Sequence, residues 1–214
     1  MKYLRLFEDF DSYDPYELMI IPPNKQAEMI IQEIKSNEPS MNLVSDLIVL
    51  GANLDWKEDG NKGWSALHWA AYYNRLKIVK ILIDAGADVN IQNEEEDTPL
   101  HIATRWCNIK TIKLLLDSGA DVNIKNKKGW TPLHSTLAIE YLDKLTLLLS
   151  VPDIDLNVQG TEGWTPLHWA VYFNEFKVVE ILVDAGARKD IRDDGGRLPY
   201  DRTTNQELKK LLKL

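Results

Sequence analysis

The sequence predicts an all-α fold, an α-solenoid of stacked helix-turn-helix units joined by hairpin fingers. Three observations predict it. First, the four histidines, His68, His101, His134 and His168, are spaced by 33, 33 and 34 residues. Second, Pro99, Pro132, Pro166 and Pro199 keep the same phase, and Trp64, Trp130 and Trp164 each stand four residues before a histidine. Third, one apolar stripe recurs in every period: Leu76, Val79, Leu82 and Ile83, then Ile109, Ile112, Leu115 and Leu116, then Leu142, Leu145, Leu148 and Leu149, then Phe176, Val179, Leu182 and Val183. Such offsets fall on one face of a 3.6-residue helix. A fixed period of this length marks a stack of repeated units, each too small to bury its apolar face alone.

Each period divides into parts with a physical reason. Thr98-Pro99, Thr131-Pro132 and Thr165-Pro166 start a helix, because Thr caps an N-terminus and Pro suits the first helical position. Ser65-Ala66 keeps the cap without the proline. A short apolar helix follows, such as residues 167–173, then a turn holding Asn74, Asn108 or Asn174, then the striped helix. Gly86, Gly119 and Gly186 stop that second helix, where a left-handed C-terminal residue is wanted. The third period departs: Pro152 ends its helix, and one extra residue within 151–157 accounts for the spacing of 34.

These residues resemble the ankyrin repeat family. The matching runs are Gly129-Trp130-Thr131-Pro132-Leu133-His134, Gly163-Trp164-Thr165-Pro166-Leu167-His168-Trp169-Ala170, Gly86-Ala87-Asp88-Val89-Asn90 and Gly119-Ala120-Asp121-Val122-Asn123. The resemblance covers roughly residues 25–214. It divides the chain into an N-terminal extension (1–24), an N-terminal capping repeat (25–56), full repeats at 57–90, 91–123, 124–157 and 158–190, and a C-terminal capping repeat (191–214). The capping repeat should hold helices at 26–36 and 41–50, stopped by Gly51. The extension carries Tyr3, Leu4, Leu6, Phe7 and Phe10, expected either to cover the edge of the first repeat or to serve as a linear motif for a partner or as a targeting peptide.

Composition narrows the function. Among 214 residues, Asp+Glu number 33 against 25 Lys+Arg, a net charge of −8. That average repels phosphate backbones, and the one lysine-rich loop, 125–128, reads as a solvated turn. With 44% hydrophobic and 27% charged residues the chain has the balance of a folded domain, not of a disordered one. The single cysteine, Cys107, makes neither an internal disulfide nor a cysteine zinc site. It sits at a turn and reads as an ordinary turn residue. No apolar run approaches the ~20 residues that span a bilayer, and residues 1–10 lack the apolar core of a secretory signal. The expectation is a cytoplasmic protein with no membrane, nucleic-acid, metal or cofactor partner.

No constellation supports catalysis. Every histidine occupies the third helical position after its Ser or Thr cap. A side chain repeated in phase serves the repeat, whereas a catalytic histidine would break phase toward a nucleophile. The resemblance implies that these histidines bond the turn and brace the next repeat. No Gly-x-Gly-x-x-Gly or Walker loop exists. Glu94-Glu95-Glu96-Asp97 replaces the glycine and tryptophan of the other fingers; it lacks the spacing of a calcium loop and reads as a solvated acidic tip, with a contact for a basic partner as the alternative.

The informative feature is aromatic. The resemblance implies that fingers and first helices line a concave face that binds protein partners. On it the expected partner-binding residues are Trp64, Tyr72, Tyr73, Arg105, Trp106, Trp130, Trp164, Tyr172 and Phe173; Tyr, Trp and Arg are enriched at binding hot spots. Trp69 and Trp169 are expected to pack in part between repeats. Asn90, Asn123 and Asn157 end stretches that resemble sites of asparagine hydroxylation in metazoan ankyrin proteins. The function expected is non-enzymatic protein binding by a chain monomeric when unbound. The alternatives are a viral, phage or microbial effector acting on a host protein in the host cytoplasm, and an accessory subunit regulating an enzyme.

Overall fold

The structure is a computed structural model that describes residues 18–106, 108–137 and 141–213. Among these residues it is all-helical, with one isolated bridge between Glu58 and Trp64 and no strand. The helices come in pairs. The capping repeat holds α1 (Pro23–Lys35) and α2 (Met41–Val49); the next two repeats hold α3 (Ala66–Tyr72) with α4 (Leu76–Asp84), and α5 (Pro99–Trp106) with α6 (Ile109–Asp117). The third full repeat has a 3-10 turn, Pro132–Thr136, before α7 (Leu142–Leu149); the fourth has α8 (Pro166–Tyr172) and α9 (Phe176–Asp184). A 3-10 turn, Pro199–Arg202, and α10 (Gln206–Leu212) close the stack.

The first member of each pair packs on the first member of the next, forming an inner layer; the striped helices form an outer one. Leu67, Leu100, Leu133 and Leu167, one per repeat, are fully buried between the layers. From the outer helices Val79, Ile112, Leu145 and Val179, at 0% exposure, join the same core. The apolar periods thus merge into one continuous core, the only way such short units become stable. Leu18 and Ile21 are buried in the first unit, and the Gln26 side chain donates to the Leu18 carbonyl. The rest of the extension expected to cover that edge lies outside the described residues.

The glycine stops behave as the sequence implies. Gly51, Gly86, Gly119 and Gly186 take φ of 95, 93, 89 and 95°. At each, the glycine N–H and the following alanine N–H fold back onto helix carbonyls, for example Gly186 to Val183 (3.0 Å) and Ala187 to Leu182 (2.9 Å). This is the Schellman closure. A Cβ on Gly186 would meet nothing within 4 Å, so the penalty for alanine there is purely conformational. Gly186→Ala is expected to lower stability by about 1 kcal/mol. A urea melt unchanged from the parent would show that the stop does not depend on glycine.

Three local expectations need correction. The first capping helix starts at Pro23, three residues earlier than expected, because Pro22-Pro23 opens it. Among the described residues the third repeat's inner helix is a 3-10 turn; Ser135 stands where Trp69, Ile102 and Trp169 stand, so it brings no large apolar side chain to that position. Asn108 is not the counterpart of Asn74 and Asn174. Those two hold the left-handed turn at φ 54 and 58°, while Asn108 caps α6 by accepting from the Lys110 and Thr111 N–H groups. Cys107 occupies the turn position in phase and lies outside the described residues.

Candidate interaction surface

The base of each finger is fixed by a histidine. The Ser65, Thr98, Thr131 and Thr165 N–H groups donate to Nδ1 of His68, His101, His134 and His168 at 3.1–3.2 Å. With Nδ1 accepting, the proton sits on Nε2. That nitrogen donates to a carbonyl of the next repeat: His68 to Asp97, His101 to Trp130 (both 2.9 Å) and His168 to Arg197 (3.2 Å). Each of these spans 29 residues. The extra residue of the third repeat puts the corresponding carbonyl 30 residues from His134, whose buried Nε2 has no partner. Burial is the main cause that pushes all four imidazoles below their ordinary value and favours the neutral rings, His68 and His134 down from 6.5 to about 4. Both nitrogens of His68, His101 and His168 are committed to backbone, so these rings brace the stack and offer no general base.

A second ladder follows the helix stops. Asn90 Oδ1 accepts from the Asp121 N–H and its Nδ2 donates to the Gly119 carbonyl. Asn123 does the same with Asp155 and Asp153, and Asn157 Oδ1 accepts from the Arg188 N–H. The amides that the resemblance flags for modification thus tie consecutive repeats together.

The finger tryptophans lie deeper than expected of a binding surface. Trp164 is 4% exposed, and Trp64 and Trp130 are half-buried. Each covers its own histidine, with ring centroids 6.1, 6.0 and 6.2 Å apart in order along the chain. The Arg202 guanidinium lies 4.5 Å over Trp164 and bonds the buried Asp193 carboxylate. Burial alone would raise the Asp193 carboxyl; the Arg197 N–H and the Arg202 guanidinium outweigh it and hold that group below its usual range. The expectation that Trp164 stands out as an exposed anchor therefore fails: its slot is a packing slot. At Asp97 the same slot holds a carboxylate that is 7% exposed and accepts from Asn126 Nδ2 at 2.7 Å. Asp97 is accordingly not part of the solvated tip, which consists of the exposed Glu94, Glu95 and Glu96.

The exposed aromatic surface is built by the ends of the inner helices. Tyr72 and Tyr73 are 38% and 40% exposed, Trp106 57%, Tyr172 58% and Phe173 56%. Arg105 lies beside them, half-buried, with no hydrogen bond or ion pair among the described residues. Trp69 and Trp169 support this surface from beneath. Trp69 packs 4.6 Å from Trp64 and stacks on Tyr73 at 6.0 Å; Trp169 repeats this with Trp164 at 4.5 Å and Phe173 at 5.7 Å. Tyr72 meets Trp106 of the next repeat edge-on at 5.8 Å, and Trp130 meets Trp169 at 5.5 Å. The first repeat is locked further by Glu58, which accepts from Trp69 Nε1 and from Lys35, whose ammonium lies 4.1 Å over Trp69. Sequence reasoning set Trp69 and Trp169 aside as packing, although their shared phase could have marked them as the floor of the aromatic set.

Among the described residues no group of His, Cys, Asp and Glu is placed to hold a metal, and no helix is long and apolar enough to cross a membrane. Comparison with known families gives a match to a model described as ankyrin repeats (3 copies), over residues 31–126 and 119–193. The chain is 43% identical over 58 residues to the neurogenic locus notch homolog protein 2 of Homo sapiens, covering 27% of this chain and 2% of that protein. It is 47% identical over 47 residues to calmodulin-binding transcription activator 5 of Arabidopsis thaliana, covering 22% of this chain and 5% of that protein. It is 43% identical over 63 residues to the palmitoyltransferase AKR1 of Eremothecium gossypii, covering 28% of this chain and 8% of that protein. The chain thus spans less than a tenth of the length of these curated relatives.

Proposed function

The chain belongs to the ankyrin repeat family, and from that premise we propose that it is a non-enzymatic protein-binding module whose partner sits on the inner helix ends. Family membership supports protein binding in general. The observation that carries the finer reading is the set of large apolar side chains left half-exposed at one end of the inner layer: Tyr72, Tyr73, Trp106, Tyr172 and Phe173. Tyr72 meets Tyr73 and Trp106 edge-on, Tyr172 meets Phe173 likewise, and Phe173 stacks on Trp169, so little rotamer freedom remains to be lost on association. Trp64, Trp130 and Trp164 fix the geometry of this surface from below and contribute to binding through it.

The test begins with affinity purification of the full chain from its source, identification of the retained protein, and titration of that protein against variants. Trp106→Ala and Tyr172→Ala should weaken capture at least about tenfold, since truncating an interface anchor costs about 2 kcal/mol or more. Their melting should stay near the parent's, because the exposed faces of both rings contribute little to stability. Unchanged affinity in both variants would move the binding surface elsewhere.

A further inference from the structure

Across α3, α5, α8 and the Pro132–Thr136 turn, every side chain is apolar, aromatic, hydroxyl or a buried neutral imidazole, with one exception. The exception is Arg105. It stands in phase with Tyr72 and Tyr172, so the repeat does not require a cation there. As a last-turn cation it interacts favourably with the carbonyl end of α5, yet its guanidinium makes no hydrogen bond or ion pair among the described residues. It is half-buried next to Trp106, and its charge is felt by His101, whose protonation it opposes. A planar guanidinium presents several N–H donors in a rigid fork, a geometry matched to a carboxylate.

We propose that the first two full repeats together recognise a protein segment in which an aromatic or large apolar side chain is followed or preceded closely by a carboxylate. The apolar group packs among Tyr72, Tyr73 and Trp106, and the carboxylate takes the Arg105 fork. This rests on the inner-surface reading above and adds the chemistry of the occupant. The opposite assignment, a basic segment on Glu94–Glu96, is weaker on charge. The Glu94 N–H bonds the Lys62 carbonyl and the Lys127 N–H bonds the Glu95 carbonyl, so lysine-bearing fingers flank the acidic tip on both sides and offset it. Among the described residues no carboxylate is paired with Arg105.

The experiment pans a phage library of random peptides, about twelve residues long, on the full chain, then titrates the enriched peptides as synthetic probes. The expected peptides pair an aromatic residue with Asp or Glu. Arg105→Glu should weaken them by about tenfold or more while lowering the melt only slightly, by the lost helix-end interaction, and replacing the peptide's acid by Lys should restore binding to the Arg105→Glu variant. Enrichment of basic peptides that ignore Arg105→Glu and are lost when Glu94, Glu95 and Glu96 are all changed to Gln overturns the inference. In that case Trp106→Ala and Tyr172→Ala still report on the inner surface separately. Peptides indifferent to Arg105→Glu, Trp106→Ala and Tyr172→Ala, or no enrichment at all, overturn both.

Discussion

Lowering the pH from about 7.5 to about 5 should destabilise the folded chain by about 4 kcal/mol through His68 and His134 alone. Burial pushes both imidazoles down from 6.5 to about 4. The unfolded chain therefore takes up protons as the pH falls through 6.5, while the folded chain does not until about 4. The unfolded state binds more protons throughout that window, so stability rises with pH across it. The contribution is complete above 6.5 and is lost progressively as the pH falls toward the folded value. At about 1.4 kcal/mol per unit, each of the two rings loses about 2 kcal/mol between 6.5 and about 5. His101 and His168 are lowered as well and add in the same direction. Carboxylates of ordinary pKa stay largely ionised above about pH 5, which leaves this window to the histidines. Urea melts across it should show a falling midpoint, and His134→Gln should flatten the slope by one ring's share. A stability profile level from about 7.5 to about 5 would mean that the rings are reached by protons without unfolding.

The sequence and the structure agree where one local demand recurs. The glycine stops, the Ser and Thr caps and the capping histidines are each set by backbone geometry, which acts within a few residues and leaves the same mark in every period. The third inner helix was not legible in this way. Thr131-Pro132-Leu133-His134 starts it as well as any other run does, but a short helix persists only if its face is packed, and after the histidine Ser135 offers neither the ring of Trp69 and Trp169 nor the apolar chain of Ile102. The aromatic site was legible in composition and partly misread in depth. The loss of tryptophan at Asp97 and Arg197 suggests that the fold does not need it. The structure gives a different reason for that variation: the slot beneath the finger accepts either an indole or the hydrogen-bonded Asp97 carboxylate. Variation in residue type therefore says little about exposure. Helix-end residues such as Trp106 and Phe173 are the ones whose exposure followed from their position at the end of a short helix.

Trp164→Ala should be the most damaging single change on the aromatic set, and its damage should be to stability. The ring is 4% exposed and touches His168, Trp169 and Tyr172, with Arg202 above it. Truncation leaves a cavity under the fourth finger, and Trp-to-Ala changes in cores cost about 3–5 kcal/mol. It also uncovers His168, whose hydrogen bond to the Arg197 carbonyl couples the last full repeat to the closing cap. Water admitted there competes for that bond and eases protonation of the ring. The half-buried Trp64 and Trp130 should follow in the same direction with smaller losses. Tyr172→Ala, by contrast, removes a ring that is 58% exposed and should leave the urea midpoint nearly unchanged. Melts of the four variants side by side separate floor from surface. If Trp164→Ala melted like the parent while partner binding collapsed, the indole would belong to the interface itself, and the floor would have to be carried by Trp169 alone.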